Sequence, residues 1–251
     1  MDVSNVFLHG NLDEVVYMKL PQGYTGMGSR ISADSATAIA VSIIQLRYTL
    51  ELLHEFGMSL ASPLKFPMDS HLKLTPTTGT PFTDPHEYQR MIGKLIYLTV
   101  TRPDITFPAH VLSQYMHHPT DAHVAAAKKL LCYLMSNPAQ GILLTSASSI
   151  AIQAYSDNDW ANCPVTRGST SGFCLLPVDS PVRWKFKKQN VVARSTAEAE
   201  YRAMALTTCE ITWLTVLLKD MGMSYLPPAT LNCDNQATLS IAANPVIHEH
   251  T

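Results

Sequence analysis

The order of hydrophobic patterns after residue 150 restricts this chain to a small set of folds. Residues 150–157 alternate between apolar and polar side chains, which is the period of a half-buried strand. The later patterns are strands at 172–176 and 182–187, a long helix at about 196–220, a strand at 230–233 and a helix that ends near residue 243. Within the long helix, Trp213 follows helical spacing with three leucines and is predicted to lie in the core. This order of elements predicts an α/β sheet with a meander of consecutive strands at one side.

The part of the chain before these strands is predicted to be mostly helical. Asp84, Pro85 and Glu87 give a helix start, with a capping aspartate, proline at the first helical position and glutamate at the third. Apolar residues then recur at helical spacing, namely Tyr88, Met91, Ile92, Leu95, Ile96 and Leu98. Two more helices are predicted to begin at Asp104 and at Thr120.

Residues 25–45 differ abruptly from what surrounds them. Glycines and serines give way to a stretch of alanine, isoleucine and valine with no clear packing partner, which we interpret as a junction. The longest apolar run, at 36–46, contains polar residues and is too short to span a bilayer, so we expect no membrane segment.

Composition excludes a globally basic nucleic-acid-binding protein. Charged residues make up 15% of the chain and the net charge is −2, so any basic surface must be local. The cysteines are Cys132, Cys163, Cys174, Cys209 and Cys233. They contain no C-x-x-C pair and no signal peptide precedes them, so we expect no zinc site and an intracellular protein of the cytoplasm or nucleus, not a secreted one.

Three carboxylates are placed where such a sheet would bring them together. Asp157 lies near the end of the first strand, Asp234 follows the later strand, and Glu200 lies near the start of the long helix. Strand ends and helix starts are where α/β folds place their sites. Converging carboxylates bind one or two hard cations such as Mg²⁺, which in pairs contact the attacking and leaving oxygens of a phosphodiester.

Two other interpretations of these acids remain open. Asp157 and Asp234 are also typical turn and cap residues. Alternatively, Asp157 and Asp159 are spaced as in a D-x-D phosphatase loop, which would leave the helical glutamate without a role.

Glu198 and Glu200 are separated by helix geometry. Ser195 and Glu198 fit a capping box, in which the glutamate turns back to the backbone N–H of the cap. Glu200 lies two residues further on, about 200° around the helix, so the two carboxylates cannot face the same metal. We therefore assign Glu200 as the ligand.

One segment interleaves cations with aromatic residues. Its cations are Arg183, Lys185, Lys187 and Lys188. On a strand the first three share one face, and Trp184 and Phe186 take the other. The functional interpretation is contact with the phosphates of a nucleic-acid duplex. The alternative is an ordinary amphipathic strand with one solvated face.

Several segments resemble the Pol polyproteins of copia-type retrotransposons. Residues 2–10 (DVSNVFLHG) are similar to a segment of that family's reverse transcriptase, and residues 88–115 are similar to its connecting region. Residues 155–161 (YSDNDWA) resemble the opening strand of its ribonuclease H domain. The later motifs of that domain are matched by residues 187–189, 195–202 and 233–236. The matches occur in the family's order.

The resemblance divides the chain into four parts. Residues 1–24 correspond to a fragment of the reverse transcriptase palm and 25–50 to a deletion junction. Residues 51–146 correspond to a helical thumb or connection, and 147–251 to a C-terminally truncated ribonuclease H-like domain. The implied fold class is α/β (α+β), with a ribonuclease H-like mixed sheet and helices.

The implied activity is hydrolysis of RNA in RNA–DNA hybrids by a two-metal mechanism. Asp157, Glu200 and Asp234 would hold Mg²⁺ or Mn²⁺, and the hybrid or another nucleic acid would be the partner. Asp2 matches the first polymerase aspartate, but no Tyr-x-Asp-Asp pair occurs in the chain, so we expect polymerase activity to be lost.

The end of the sequence leads to a competing expectation. Residues 244–251 resemble the start of a segment that carries a fourth acidic ligand in the family, and the sequence stops there. The alternative is therefore a catalytically inactive remnant that binds nucleic acid weakly. The sequence indicates no oligomeric state.

Overall fold

The computed structural model describes residues 40–69, 72, 74–145, 150–178, 180–223 and 225–244. Its first part is mostly helical, as predicted. The elements are α1 (Leu46–Glu55), α2 (Pro85–Leu98), a short 3₁₀ turn (Pro103–Ile105) that leads into α3 (Thr106–Ser113), and α4 (Asp121–Ser136). None of the described helices is long and apolar enough to cross a bilayer.

The starts of α2 and α4 follow the predicted caps, whereas the helix predicted to begin at Asp104 begins at Thr106, after the 3₁₀ turn. The Asp84 carboxylate accepts hydrogen bonds from the backbone N–H groups of His86 and Glu87, each at 3.1 Å, which satisfies two amides at the start of α2. At α4 the Thr120 N–H donates to the His123 ring at 2.9 Å.

The helices enclose a continuous apolar core. Its fully buried members include Leu52, Met91, Ile92, Leu95, Leu112, Leu130 and Leu134. Beside this core, the buried Arg102 guanidinium pairs with Asp104 at 2.8 Å and donates to the Asn137 carbonyl at 3.0 Å. The buried positive charge of Arg102 is therefore compensated by hydrogen-bonded partners.

The second part is a mixed sheet with one long helix on it. Its elements are β3 (Ile152–Asp159), β4 (Thr170–Pro177), β5 (Arg183–Lys188), α5 (Thr196–Asp220), β6 (Thr230–Asn232) and α6 (Gln236–Ala243). The strand order is β5-β4-β3-β6, antiparallel from β5 to β3 and parallel between β3 and β6. The predicted mixed α/β architecture is confirmed, and it is consistent with a ribonuclease H-like fold.

The long helix packs its apolar stripe on the middle of the sheet. Leu214 and Leu218 of α5 form a second core with Ile152, Ala154, Phe173 and Leu175 of β3 and β4. The prediction that Trp213 is a core residue is wrong, because half of it is exposed. Its ring instead lies against the Arg183 guanidinium, whose central carbon is 5.2 Å from the ring centre.

The expectation that residues 25–45 have no partner is wrong for the end of that segment. Strand β1 (Ala40–Ile44) pairs antiparallel with β2 (Gly141–Thr145). A Cβ added at Gly141 would lie 2.1 Å from the Ile43 carbonyl oxygen, so the pairing requires glycine there. The side chains of β1 are mostly exposed, so the pairing depends on backbone hydrogen bonds.

The helical part and the sheet contact each other at β5. The Trp184 indole N–H donates to the Thr99 carbonyl at 3.0 Å, and the Phe107 and Phe186 rings meet edge to face at 5.4 Å. The described residues, from 40 to 244, belong to one compact unit. Asp2, the rest of residues 1–24 and the C-terminal residues 245–251 lie outside the described residues, so the assignments made there and the four-part division stay predictions.

Candidate metal centre and basic strand

The first turn of α5 separates the two glutamates. The Glu198 N–H donates to the Ser195 hydroxyl at 3.1 Å, which caps the helix. The Glu198 carboxylate turns back and accepts from the Arg194 N–H at 2.7 Å, one residue before the expected partner. It also accepts from the Arg202 guanidinium at 2.9 Å. Glu198 is thus engaged in local contacts at the helix start.

Glu200 points into the protein from the same turn. Only 4% of its surface is exposed, because α5 packs on β3 at this point. Its Oε2 atom is buried and has no hydrogen-bond partner among the described residues. An unsatisfied buried carboxylate oxygen is costly and calls for a positive or hydrogen-bonding partner.

Asp234 is brought to Glu200 by the junction between β6 and α6. Ligand atoms of Glu200, Cys233 and Asp234 all lie within 4.8 Å of one another. The Thr238 N–H donates to the capping Asn235 side chain at 3.0 Å, and the Thr238 hydroxyl donates to the Ala197 carbonyl at 3.2 Å. These bonds attach the start of α6 to the first turn of α5, which sets the position of the group.

Asp157 lies beside this group on β3. It lines one surface depression together with Cys233 and Asp234. One of its oxygens accepts from the Asn158 N–H at 2.8 Å. Asp157 is not a member of the tight three-residue group found among the described residues. The structure therefore brings Glu200 and Asp234 together and places Asp157 next to them.

Electrostatics at the group favour a cation. Burial raises the pKa of Glu200 to about 7, and the charges of Asp157 and Asp234 add to the effect. Burial also raises the pKa of the Cys233 thiol, again with contributions from Glu200 and Asp234. Two further buried acceptors on β3, Ser156 Oγ and Asn158 Oδ1, have no partner among the described residues.

The D-x-D alternative receives no support from the placement of Asp159. Asp159 lines a different cavity, between the loop after β3 and the helical part, with Asn162 and Tyr115. Burial raises the pKa of Asp159, and the negative charge of Asp157 raises it further. The two aspartates therefore border separate spaces rather than a common phosphate pocket.

The structure divides the four cations of the basic strand into two pairs. Arg183 forms an ion pair with Glu210 at 2.9 Å, and Lys188 donates to the Cys163 sulfur at 2.8 Å. Lys185 and Lys187 are exposed and form no ion pair within the described part of the chain. The predicted alternation holds, since the aromatic residues between them are half-buried.

Sequence reasoning missed Cys233 as a member of the group. C-x-x-C spacing does not identify Cys233, because no other cysteine lies near it in the sequence. The available signal was its position, since it directly precedes the predicted ligand Asp234. Its partner Glu200 comes from a different element, so the group forms only in the folded chain.

Comparison with known proteins gives relatives for most of the chain. It is 43% identical over 204 residues, 81% of its length, to the retrovirus-related Pol polyprotein from transposon RE2 of Arabidopsis thaliana. Over an alignment of 254 positions that covers 97% of its length, the chain is 30% identical to the Pol polyprotein from transposon TNT 1-94 of Nicotiana tabacum. An uncharacterized mitochondrial protein of Arabidopsis thaliana is 38% identical over 169 residues, which cover 67% of this chain and 70% of that protein.

The matches cover a small part of the transposon proteins. The chain spans 14% of the length of the RE2 polyprotein and 19% of that from TNT 1-94. No protein-family model and no solved structure matches the chain. The identity to these relatives confirms the family that the sequence motifs predict. The chain belongs to the Pol polyproteins of copia-type retrotransposons.

Proposed function

We propose that the sheet-containing part of this chain is a ribonuclease H-type nuclease that cleaves the RNA strand of RNA–DNA hybrids. The observation that carries the proposal is the buried Glu200 carboxylate, whose Oε2 atom has no hydrogen-bond partner among the described residues and which adjoins Asp234 and Asp157. Carboxylates gathered in this way are the ligand set that hard divalent cations prefer.

The residues present fit Mg²⁺ or Mn²⁺. Glu200 and Asp234 would hold the cation directly, with Asp157 completing the site from β3. A cation bound there would activate a water molecule and stabilise negative charge on the phosphate oxygens. The neighbouring negative charges and the unsatisfied Glu200 oxygen would then be compensated, which is why the site suits a cation better than a neutral ligand.

Other side chains keep the ligands in place. Glu198 neutralises part of the Arg202 charge and ties the helix start to Arg194, so the backbone that carries Glu200 is held at both sides. The Thr238 bond to Ala197 fixes the distance between α5 and α6. A site held by such supporting bonds needs little rearrangement to bind its cation.

The exposed lysines of β5 provide the contact with nucleic acid. Lys185 and Lys187 lie two strands from β3, about 10 Å across the sheet. In the strand register Lys185 pairs with Phe173, which packs under α5, so both lysines project on the α5 face of the sheet, the side from which Glu200 reaches the site. A hybrid duplex on that face would bring its phosphates to both ammonium groups. Contacts of this kind position a duplex without reading its sequence.

One observation favours a second candidate, a nucleic-acid-binding domain without nuclease activity. Asp157 does not belong to the tight ligand group, and one of its oxygens is occupied by the Asn158 N–H. If Asp157 does not coordinate the cation, a two-metal mechanism lacks one of its ligands. The function that remains is then the binding of nucleic acid by the basic strand.

A hybrid-cleavage assay separates the two candidates. We expect RNA-strand cleavage with Mg²⁺ or Mn²⁺ that falls about a hundredfold or more in Glu200→Gln and Asp157→Asn, since each change removes a negatively charged ligand. Asp220→Asn, an exposed carboxylate at the end of α5, is the matched control and should cleave normally. Hybrid binding without cleavage by the unaltered chain would instead favour the second candidate.

A further inference from the structure

We infer that Glu200, Cys233 and Asp234 form a mixed thiolate–carboxylate site that binds zinc more tightly than magnesium. Zinc at this position would compete with the nuclease cation. The competition rests on the proposed function, whereas the zinc site rests on the geometry of the three side chains alone.

The spacing of the ligand atoms suits one tetrahedral ion. The Cys233 sulfur and the two carboxylate oxygens lie within 4.8 Å of one another. The ligand atoms of a tetrahedral zinc ion lie roughly 3.5 Å from one another. Side-chain rotations that move the three ligand atoms by about 1 Å would therefore bring them into contact with one ion. Three protein ligands leave a fourth position for water, as in zinc sites that remain open.

A second observation points to a missing ligand partner. Glu200 is 4% exposed, yet its Oε2 atom has no hydrogen-bond partner among the described residues. This oxygen belongs to the side chain that contributes a ligand atom to the group. A cation coordinated there would interact with an oxygen to which no described residue donates a hydrogen bond.

The sulfur determines which cation is favoured. Magnesium requires oxygen ligands and gives up its water reluctantly, so a thiol adds nothing to its affinity. Zinc is borderline in softness and binds thiolate, and it also stands above manganese in the usual affinity order of divalent metals. Cys233 therefore shifts the selectivity of an otherwise acidic site toward zinc and its softer analogue cadmium.

The position of Cys233 is fixed by the fold. The Asn232 side-chain amide donates to the Ala154 carbonyl at 3.1 Å, which anchors the end of β6 on β3. On the other side, the capped start of α6 holds the chain after Asp234. The thiol thus lies between two anchored segments, beside the first turn of α5.

Cys163 provides a matched contrast within the same protein. It is half-buried like Cys233, but its sulfur accepts a hydrogen bond from the Lys188 ammonium at 2.8 Å rather than facing carboxylates. A positive neighbour repels a metal cation. Within the described part of the chain, the group around Cys233 is the one set of three such ligands that lie this close.

Cadmium titration of the full chain without nucleic acid tests the site, because cadmium–thiolate bonds absorb in the ultraviolet. We expect one equivalent of Cd²⁺ to produce this absorbance in the unaltered chain and in Cys163→Ser. Cys233→Ser should lose the absorbance and bind at least about tenfold more weakly. Glu200→Gln should weaken binding about tenfold but keep the absorbance at saturating Cd²⁺.

Absorbance that persists in Cys233→Ser, or that disappears in Cys163→Ser, would overturn the assignment. Circular dichroism and the melting temperature of each variant check that the fold is intact. Glu200→Gln supplies a second route to the answer if Cys233→Ser does not fold.

A separate measurement tests the competition. Zn²⁺ at stoichiometric concentration should inhibit Mg²⁺-dependent hybrid cleavage in the unaltered chain and inhibit it at least about tenfold less in Cys233→Ser. Equal inhibition of both would refute the competition. If the chain shows no cleavage at all, the proposed function fails, while the cadmium titration still decides the zinc site.

Discussion

The environment of Glu200 in the folded protein favours the protonated form of its carboxyl group. Burial and the neighbouring charges of Asp157 and Asp234 raise its pKa from the ordinary value of 4.5 to about 7. Between these two values the folded chain binds a proton at Glu200 that the unfolded chain releases. Stability of the metal-free protein is therefore lost as the pH rises through this window, and the ionised carboxylate destabilises the fold above it.

We expect Glu200→Gln to stabilise the metal-free protein above pH 7 by about 2 kcal/mol, because it removes the buried charge without changing the shape of the side chain. Near pH 4.5 both proteins carry a neutral group, so the difference should vanish. Urea denaturation with a chelator present, at pH 5 and pH 8, measures both free energies of unfolding. A stabilisation of the same size at both pH values would show that burial of charge is not its cause.

Elements whose ends are set by local chemistry follow the sequence closely. The capping serine at 195 and the turned-back Glu198 place the start of α5, and Asp84 with Pro85 places the start of α2. Strand β1 carries no such signal, because its partner β2 lies far away in sequence. Pairing between two exposed strands depends on backbone contacts that no local pattern encodes.

Gly141 makes that pairing sensitive to a single substitution. A side chain there would collide with the Ile43 carbonyl, so Gly141→Val should separate β1 from β2. We expect hydrogen exchange of the Ala40–Ile44 amides to become at least about tenfold faster, with the helical core unaffected. Gly93→Ala is the control, since a Cβ at Gly93 in α2 meets nothing within 4 Å. Unchanged protection of β1 in Gly141→Val would contradict the pairing.

At the scale of the whole molecule, the candidate site depends on contacts between distant segments that local sequence patterns do not predict. The alternation of β3 and the order of strands and helices predict the sheet and place Asp157, Glu200 and Asp234 near one another. Cys233 joins them because it directly precedes Asp234 and the start of α6 is bonded to the first turn of α5. Trp213 illustrates the same limit, because helical spacing identifies a stripe but not how far the sheet beneath it extends.

The two free lysines of β5 allow a test of how the whole chain meets nucleic acid. Each ammonium that contacts a phosphate releases a counterion, so Lys185→Gln with Lys187→Gln should lower hybrid affinity and reduce the slope of log affinity against log salt by about 2. Lys128→Gln with Lys129→Gln changes the net charge equally on the exposed face of α4 and serves as the control. Fluorescence anisotropy of a labelled hybrid across several salt concentrations gives both slopes. Equal losses in the two double variants would mean that net charge, rather than the basic strand, determines binding, because only a local contact distinguishes the two surfaces.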